Sequence, residues 1–333
     1  GKHPMSDIIK TDICIIGAGS GGLSVAAGAV QMGADVVLIE KGKMGGDCLN
    51  TGCVPSKALL AAAHAAENAR TAFQFGVGTD PLAIDFARAM DHVHSVIAGI
   101  APHDSVERFE KLGCRVIEAK AHFTGPNEVI ADGKRIHAKR FVIATGSRAA
   151  VPPIDGIDAV PYFTNETIFE NRICPDHLII IGGGPIGLEM AQANQQLGAK
   201  VTVIEMATIL PKDDPDLVAV VRDMIESSGI SLYEKIKTKR VETHDDQIRV
   251  IIEHNGADIT IEGSHLLIAT GRKPTIDDLG LDAAGVTYSA RGINVDKRLR
   301  TSNSKIFAIG DVTGGLQFTH MAGYDAGIVI RQM

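Results

Sequence analysis

At 333 residues the chain is longer than one core usually fills, so about two domains are expected, and 45 % hydrophobic with 22 % charged residues excludes intrinsic disorder. Forty acidic against 33 basic residues, a formal charge of −7, argue against nucleic acid or an anionic membrane surface as the main partner, and 4 % aromatics without tryptophan against a base-stacking platform. Five cysteines, an odd number, do not read as a secreted disulfide framework.

Gly1-Lys2-His3-Pro4 reads as an artificial leader ahead of a natural start at Met5. The first apolar run, Ile13–Ile16, is strand-sized, as is Leu178–Ile181 later; a membrane span needs ~20 residues, and a cytoplasmic or similarly reducing compartment is expected. Ile13–Ile16 leads into Gly17-Ala18-Gly19-Ser20-Gly21-Gly22, a small-residue helix, and a second apolar strand ending at Glu40. The same order returns without gaps at a constant offset of 165 residues: Gly182-Gly183-Gly184-Pro185-Ile186-Gly187, then a strand ending at Glu205. In such a turn the first glycine permits the bend, the second admits a pyrophosphate, and the third lets helix close on strand. The diphosphate rests on unpaired N–H groups at the helix start, and the acid, 23 residues on in both copies, is placed for ribose hydroxyls. A single glycine turn of this kind also serves pure packing; two in register predict two bound dinucleotides.

Between the copies the first carries about 40 extra residues, mainly from Gly45 to about Arg115. This stretch opens with Gly45-Gly46-Asp47-Cys48-Leu49-Asn50-Thr51-Gly52-Cys53-Val54-Pro55-Ser56-Lys57. Five residues apart on a straight helix, Cα atoms of Cys48 and Cys53 would be roughly 8.7 Å apart, whereas a disulfide takes about 4.4–6.8 Å. Asn50-Thr51-Gly52 can supply the break that closure needs. So small a ring stabilises little, on the order of 2 kcal/mol, so a redox pair is the better reading than a staple. Reduced buried thiols or half of a metal site are the alternatives, although no further Cys or His stands at zinc-ligand spacing and no metal is expected. Lys57, one helical turn beyond Cys53, puts a cation near the same face, where it favours a thiolate. Cys14, Cys114 and Cys174 read as isolated core or surface thiols.

Further on, Val142-Ile143-Ala144-Thr145-Gly146-Ser147 resembles Leu267-Ile268-Ala269-Thr270-Gly271-Arg272, each a short strand before a glycine turn. A last buried strand, Ile306-Phe307-Ala308-Ile309, delivers Gly310-Asp311 to a strand end, where ligands of open α/β sheets sit, although an aspartate there by itself reads first as a capping residue of a turn.

In these motifs, the chain from about residue 8 onward resembles the pyridine nucleotide–disulfide oxidoreductases, the flavoprotein family of dihydrolipoamide dehydrogenase, glutathione reductase and mercuric reductase. The resemblance implies an α/β fold of two Rossmann-like FAD/NAD(P)-binding domains in three layers, the NAD domain inserted. Expected boundaries are residues 6–152 for the first part of the FAD domain with the redox disulfide, 153–276 for the NAD domain, and 277–333 for completion of the FAD domain. FAD would meet Gly17, Gly19, Ser20, Gly21, Gly22, Glu40, Lys41, Gly46, Asp47, Thr145, Gly146, Gly310 and Asp311. NAD(H) would meet Gly182, Gly184, Ile186, Gly187, Glu205 and Gly271. Cys53 would be the flavin-side thiol and Cys48 the one that exchanges with substrate, with Lys57 paired to Glu189. The implied function is electron transfer between NAD(H) and a small dithiol or disulfide, nearest to dihydrolipoamide dehydrogenase, with neither nucleic acid nor membrane as partner. Glu205 would repel a 2′-phosphate, and Met206-Ala207-Thr208-Ile209 offers no arginine to hold one, so NAD(H) is expected over NADP(H).

Two departures qualify the match. Asp47 stands where better-known members have threonine, a pattern of mercuric-reductase-like members. The sequence stops at Met333, whereas family members continue into an interface domain that forms a homodimer and donates a His–Glu pair to the partner's disulfide. The expectation is therefore a truncated chain whose parent dimerises, its own dimerisation being open. Of the histidines, His320 at a helix start is not expected to replace that base, and His64, His92, His94 and His103 read as solvated. The alternatives are a mercuric-reductase-like enzyme, disfavoured by Glu205 and the lack of a C-terminal cysteine pair; a hydride-only transhydrogenase, disfavoured by both cysteines; and a catalytically incomplete FAD/NAD-binding fragment.

Overall fold

A computed structural model describes residues 8–78 and 82–333; the leader and Met5 lie outside the described residues. The chain runs β1 (Ile8–Ile16), α1 (Ser20–Gln31), β2 (Val36–Glu40), α2 (Gly46–Asn50), α3 (Cys53–Thr71), α4 (Phe86–Ile100), α5 (Val106–Leu112), β3 (Cys114–Glu118), β4 (Ala121–Gly125), β5 (Glu128–Ala131), β6 (Lys134–Ile143) and β7 (Ser147–Ala149). It continues through β8 (His177–Ile181), α6 (Pro185–Gln196), β9 (Lys200–Glu205), α7 (Pro215–Ser227), β10 (Ser231–Glu234), β11 (Thr238–His244), β12 (Gln247–His254), β13 (Ala257–Gly263) and β14 (His265–Ile268). The last elements are β15 (Arg272–Pro274), α8 (Leu281–Ala284), β16 (Tyr288–Ser289), β17 (Gly292–Ile293), β18 (Ile306–Ala308) and α9 (Thr319–Ile330). No helix among the described residues is long and apolar enough to cross a membrane.

Packing divides the chain into two units. The first takes the chain up to Asn50, Ala98–Arg148 and Lys273–Met333; the second takes Thr51–Ile97 and Ala149–Arg272. In the first, the sheet order is β3-β2-β1-β6-β5-β4, with β18 also on β6. Strands β3, β2, β1, β6 and β18 run parallel, and β4 and β5 add an antiparallel edge. The second unit has a parallel sheet, β10-β9-β8-β14, and an antiparallel meander, β11-β12-β13. The repeat is thus repeated in topology: β3-β2-β1-β6 answers to β10-β9-β8-β14. Central strands of parallel sheets are covered on both faces, which is why Leu178–Ile181 is buried throughout rather than alternately.

By packing, residues 51–97 group with 149–272. One face of α3, with Ala58, Leu59, Ala63 and Ala66, lies in the core shared with Leu188, Met190, Ala191 and Ala193 of α6. Alanines on both helices let the backbones approach closely, and the sequence of one small-residue face does not say which partner it meets.

The β4–β6 edge carries a polar cluster with a pH signature. Glu128 accepts from Thr124 Oγ1 at 2.7 Å, meets His137 Nε2 at 2.6 Å, and accepts from Arg135 Nε at 2.9 Å. In that order these partners hold its carboxyl down to about 2 from 4.5. A lowered carboxyl pKa stabilises the fold fully above the unfolded value and loses that contribution as pH falls from about 4.5 towards 2. Glu128→Gln is expected to remove about 1 kcal/mol at neutral pH, after solvent screening. The gap from wild type should narrow below about pH 4.5 and close as pH reaches about 2 in urea unfolding; a gap independent of pH would refute the assignment.

Candidate functional site

Both glycine turns have the same construction, bond for bond. Gly17 N–H donates to the Ile39 carbonyl at 2.8 Å and Gly182 N–H to Ile204 at 2.9 Å. Ala144 N–H donates to Ile16, and Ala269 N–H to Ile181, both at 2.8 Å. The two short motifs that repeat in the sequence therefore touch: each Ala-Thr-Gly segment closes on the first glycine of its own copy. Gly17 and Gly182 have φ of +106° and +123°, and a Cβ there would lie 2.2 and 2.1 Å from the Ala144 and Ala269 carbonyl oxygens. Gly22 and Gly187, the third glycines, face the carbonyl oxygens of Gly17 and Gly182, at 1.8 and 2.1 Å from an added Cβ. Gly21 is buried towards Ile309 and Ala322.

The second glycines differ. Gly19 and Gly184 cap α1 and α6 in extended conformation, at φ −83° and −78°, which any residue adopts. A Cβ on Gly19 meets nothing nearer than Gly46 Cα at 3.8 Å, and one on Gly184 meets nothing within 4 Å. Nothing in the polypeptide requires glycine here. Neither helix has a side-chain cap, so the N-terminal N–H groups are left to an external acceptor. Open space in front of uncapped amides at the carboxyl ends of parallel strands fits a diphosphate in both copies.

The acids are held alike. Glu40 accepts from Ala18 N–H and Gly42 N–H, each at 2.7 Å; Glu205 accepts from Gly183 N–H and Ala207 N–H, each at 2.7 Å. All three positions keep the 165-residue offset. Each oxygen has a further lone pair, so a carboxylate fixed in this way still accepts from a ribose hydroxyl. The correspondence runs beyond any residue identity: Gly45 N–H donates to the Ala18 carbonyl at 2.9 Å, and Leu210 N–H to Gly183 at 3.1 Å.

In the first unit, Ser20 opens α1, Lys41 follows β2, Gly46 lies against Gly19, and Asp47 is the second residue of α2. Gly310 and Asp311 form a short turn after β18. Asp311 accepts from Ser147 Oγ, and Asp325 on α9 accepts from Gly310 N–H at 3.1 Å. Burial holds the Asp325 carboxyl above its usual range. Thr145 Oγ1 donates to the Thr275 carbonyl at 2.7 Å, and Gly146 accepts from Thr275 N–H at 2.9 Å. Ser147 and Asp325 escaped the sequence reading. Ser147 had a signal, since it stands where the second copy has Arg272; Asp325 had none.

In the second unit, Ile186 is the second residue of α6 and Gly271 follows the Ala269-Thr270 turn, its carbonyl accepting from Ala150 N–H at 3.0 Å. The cysteine segment breaks between its two thiols: α2 ends at Asn50 and α3 begins at Cys53, with Gly52 at φ −122° as its cap. Cys48 is half-buried in α2 of the first unit, while Cys53, exposed, is the first residue of α3 in the second. The buried Asn165 donates to the Thr51 carbonyl at 3.4 Å, a support the sequence did not reveal. Lys57 Nζ lies 2.8 Å from both carboxylate oxygens of Glu189, joining α3 to α6. The remaining cysteines are thiols in apolar surroundings. Burial pushes Cys14 far up, Cys114 up to about 11, and Cys174 upward. His320 is exposed and stacks on Phe318 at 5.4 Å; His64, His92 and His103 are exposed, and His94 Nε2 meets the Phe169 carbonyl at 2.9 Å. Among the described residues no three His, Cys, Asp or Glu side chains form a metal-sized group.

Two Rossmann-like folds, each with an uncapped helix start and a bridged acid, stand in one chain with a segment that carries Cys48 and Cys53. The chain belongs to the pyridine nucleotide-disulphide oxidoreductase family, whose model matches residues 11–326. Members of this family bind FAD and use NAD(P)H. It is 38 % identical to the mercuric reductase of Bacillus cereus over 322 residues, covering 96 % of this chain and 51 % of that protein. It is 35 % identical to the dihydrolipoyl dehydrogenase of Geobacillus stearothermophilus over 338 residues, covering 96 % and 69 %. Among solved structures, the HOCl-induced flavoprotein disulfide reductase RclA from Escherichia coli superposes with a TM-score of 0.86 at 31 % identity, covering 97 % of this chain and 71 % of that one. The chain therefore spans about half to 70 % of the length of these relatives.

Proposed function

We propose that the chain carries the electron-transfer part of an FAD-dependent oxidoreductase working between NAD(H) and a dithiol or disulfide, with Cys48 and Cys53 as the redox pair. The balance is NADH plus disulfide plus a proton giving NAD⁺ plus two thiols. The observation behind this reading is the presence, in one chain, of two complete dinucleotide turns together with a cysteine pair, while the other three thiols are kept protonated by burial. FAD, when bound, supplies the two-electron link between hydride and disulfide chemistry.

The residues divide the work. In the first fold the α1 amides and Glu40 would hold the adenosine diphosphate of FAD, with Asp311, oriented by Ser147, in the turn after β18. In the second, α6 and Glu205 would hold NAD(H). Cys53, at the start of a 19-residue helix, has the positive end of the helix dipole to stabilise charge developing on its sulfur. Cys48 would exchange with substrate. Lys57, one turn along α3, is kept from folding back at random by both oxygens of Glu189. Dihydrolipoamide is the substrate class this reading favours. The 38 % identity to a mercuric reductase supports a second one, in which the pair reduces a mercuric ion.

Anaerobic titration of the FAD-loaded chain with NADH tests the first reading. A long-wavelength thiolate-to-flavin band at two-electron reduction, absent in Cys53→Ser, is expected. Bleaching of the flavin without that band would separate the cysteines from it. Oxidation of dihydrolipoamide by NAD⁺ against mercuric-ion-dependent NAD(P)H consumption then tells the two substrates apart.

A further inference from the structure

The loop that follows Glu205 is held by a second carboxylate that the first copy lacks. Glu234, the last residue of β10, accepts from Ile209 N–H at 2.7 Å through Oε1. The same carboxylate meets one edge of a guanidinium in bidentate fashion: Arg222 Nε at 2.7 Å on Oε2 and Nη2 at 3.0 Å on Oε1. The neighbouring backbone reinforces the contact, with Lys235 N–H on the Ala207 carbonyl at 2.8 Å and Ile236 N–H on Glu205 at 3.1 Å. The side chains of Arg222 and Glu234 are only 28 % and 19 % exposed, which sets this pair apart from a frayed surface bridge.

The first copy supplies an internal control. By strand register Glu118 pairs with Glu40 as Glu234 pairs with Glu205. Glu118 is exposed, and among the described residues its carboxylate receives no hydrogen bond. The strand-turn-helix-strand unit folds without the clamp, so the clamp answers to something particular to the second copy.

What it does there follows from charge and donors. A 2′-phosphate beside Glu205 needs free N–H groups and a cation, ideally the planar fork of an arginine. In this loop the Ala207 and Ile209 amides are already bound to carboxylates, and the Nε–Nη2 edge of Arg222 is taken by Glu234. Lys235, next to Glu234 and exposed, offers only a flexible point charge. We propose that Arg222 and Glu234 are a positioning pair for coenzyme selection: Glu234 fixes the Met206–Ile209 loop behind Glu205 and keeps the guanidinium suited to a 2′-phosphate occupied. The inference rests on the reading of the second fold as an NAD(H) site.

Equilibrium dialysis of NAD⁺ and NADP⁺ against the FAD-loaded 333-residue chain tests it without turnover. Wild type should prefer NAD⁺. Glu234→Gln keeps an acceptor for Ile209 N–H but releases Arg222, and should lower the preference about tenfold, the order of one charge-assisted hydrogen bond. Adding Arg222→Met to Glu234→Gln should restore it. Glu234→Ala, which also strands the Ile209 amide, should weaken NAD⁺ itself. Arg222→Met alone should raise the preference, which keeps the idea testable where Glu234→Gln does not fold. A preference unchanged in Glu234→Gln or Arg222→Met, or one lowered equally in the double variant, overturns the clamp alone. A wild type that does not prefer NAD⁺ overturns the coenzyme reading and the clamp with it.

Discussion

Replacing Cys53 by serine is expected to lower NADH-dependent reduction of a test disulfide by about 10³-fold or more, the usual scale for loss of an essential nucleophile. No other thiol can stand in. Cys14 and Cys114 are buried in the sheet of the first unit, and burial holds both, like Cys174, as neutral thiols. Serine is close to cysteine in size and is a good residue for the first position of a helix, so the start of α3 at residue 53 should stay intact. FAD content and melting temperature should therefore stay near wild type. Cys48→Ser should cost a similar factor but differ in spectrum, since the flavin-side thiolate band belongs to Cys53 and remains. Retention of a tenth or more of the activity in Cys53→Ser would refute the redox pair, and a band that vanishes in Cys48→Ser would reverse the two roles.

The parts of the molecule that could be read in the sequence are those fixed by local geometry. A turn that needs φ of +106° or +123° admits little but glycine, so Gly17 and Gly182 mark both nucleotide folds from sequence. The strands that follow end at Glu40 and Glu205 because those side chains must turn back to the amides of Ala18 and Gly183. The parts that could not be read depend on which distant surface meets which. The alanine face of α3 would suit several partners, and only the folded chain shows it against α6. Asn165, Asp325 and Glu234 act through backbone groups of Thr51, Gly310 and Ile209, and a backbone amide has no letter in the sequence. The Lys57–Glu189 pair was reached only through the family resemblance, because nothing local joins residues 132 positions apart.

Glycines of a single turn should separate cleanly into those the fold needs and those the ligand needs. Gly182→Ala forces a side chain to φ +123° with its Cβ 2.1 Å from the Ala269 carbonyl oxygen, a rigid backbone atom. The cost should be about 3 kcal/mol or more, roughly 10 °C in melting temperature for a unit of this size. Gly184→Val sits at φ −78° with nothing within 4 Å of its Cβ, so the melting temperature should move by less than about 2 °C. Yet valine fills the space before the α6 amides, and NAD⁺ affinity should fall about 100-fold while bound FAD is retained. In the first copy, Gly17→Ala and Gly19→Val should show the same division, with loss of FAD in place of loss of NAD⁺. The contrast separates the two causes of a glycine that look identical in a motif. Gly184→Val with undiminished NAD⁺ affinity would mean that the coenzyme does not lie on this turn, whereas loss of FAD in Gly184→Val would mean that the second turn is not specific to NAD(H).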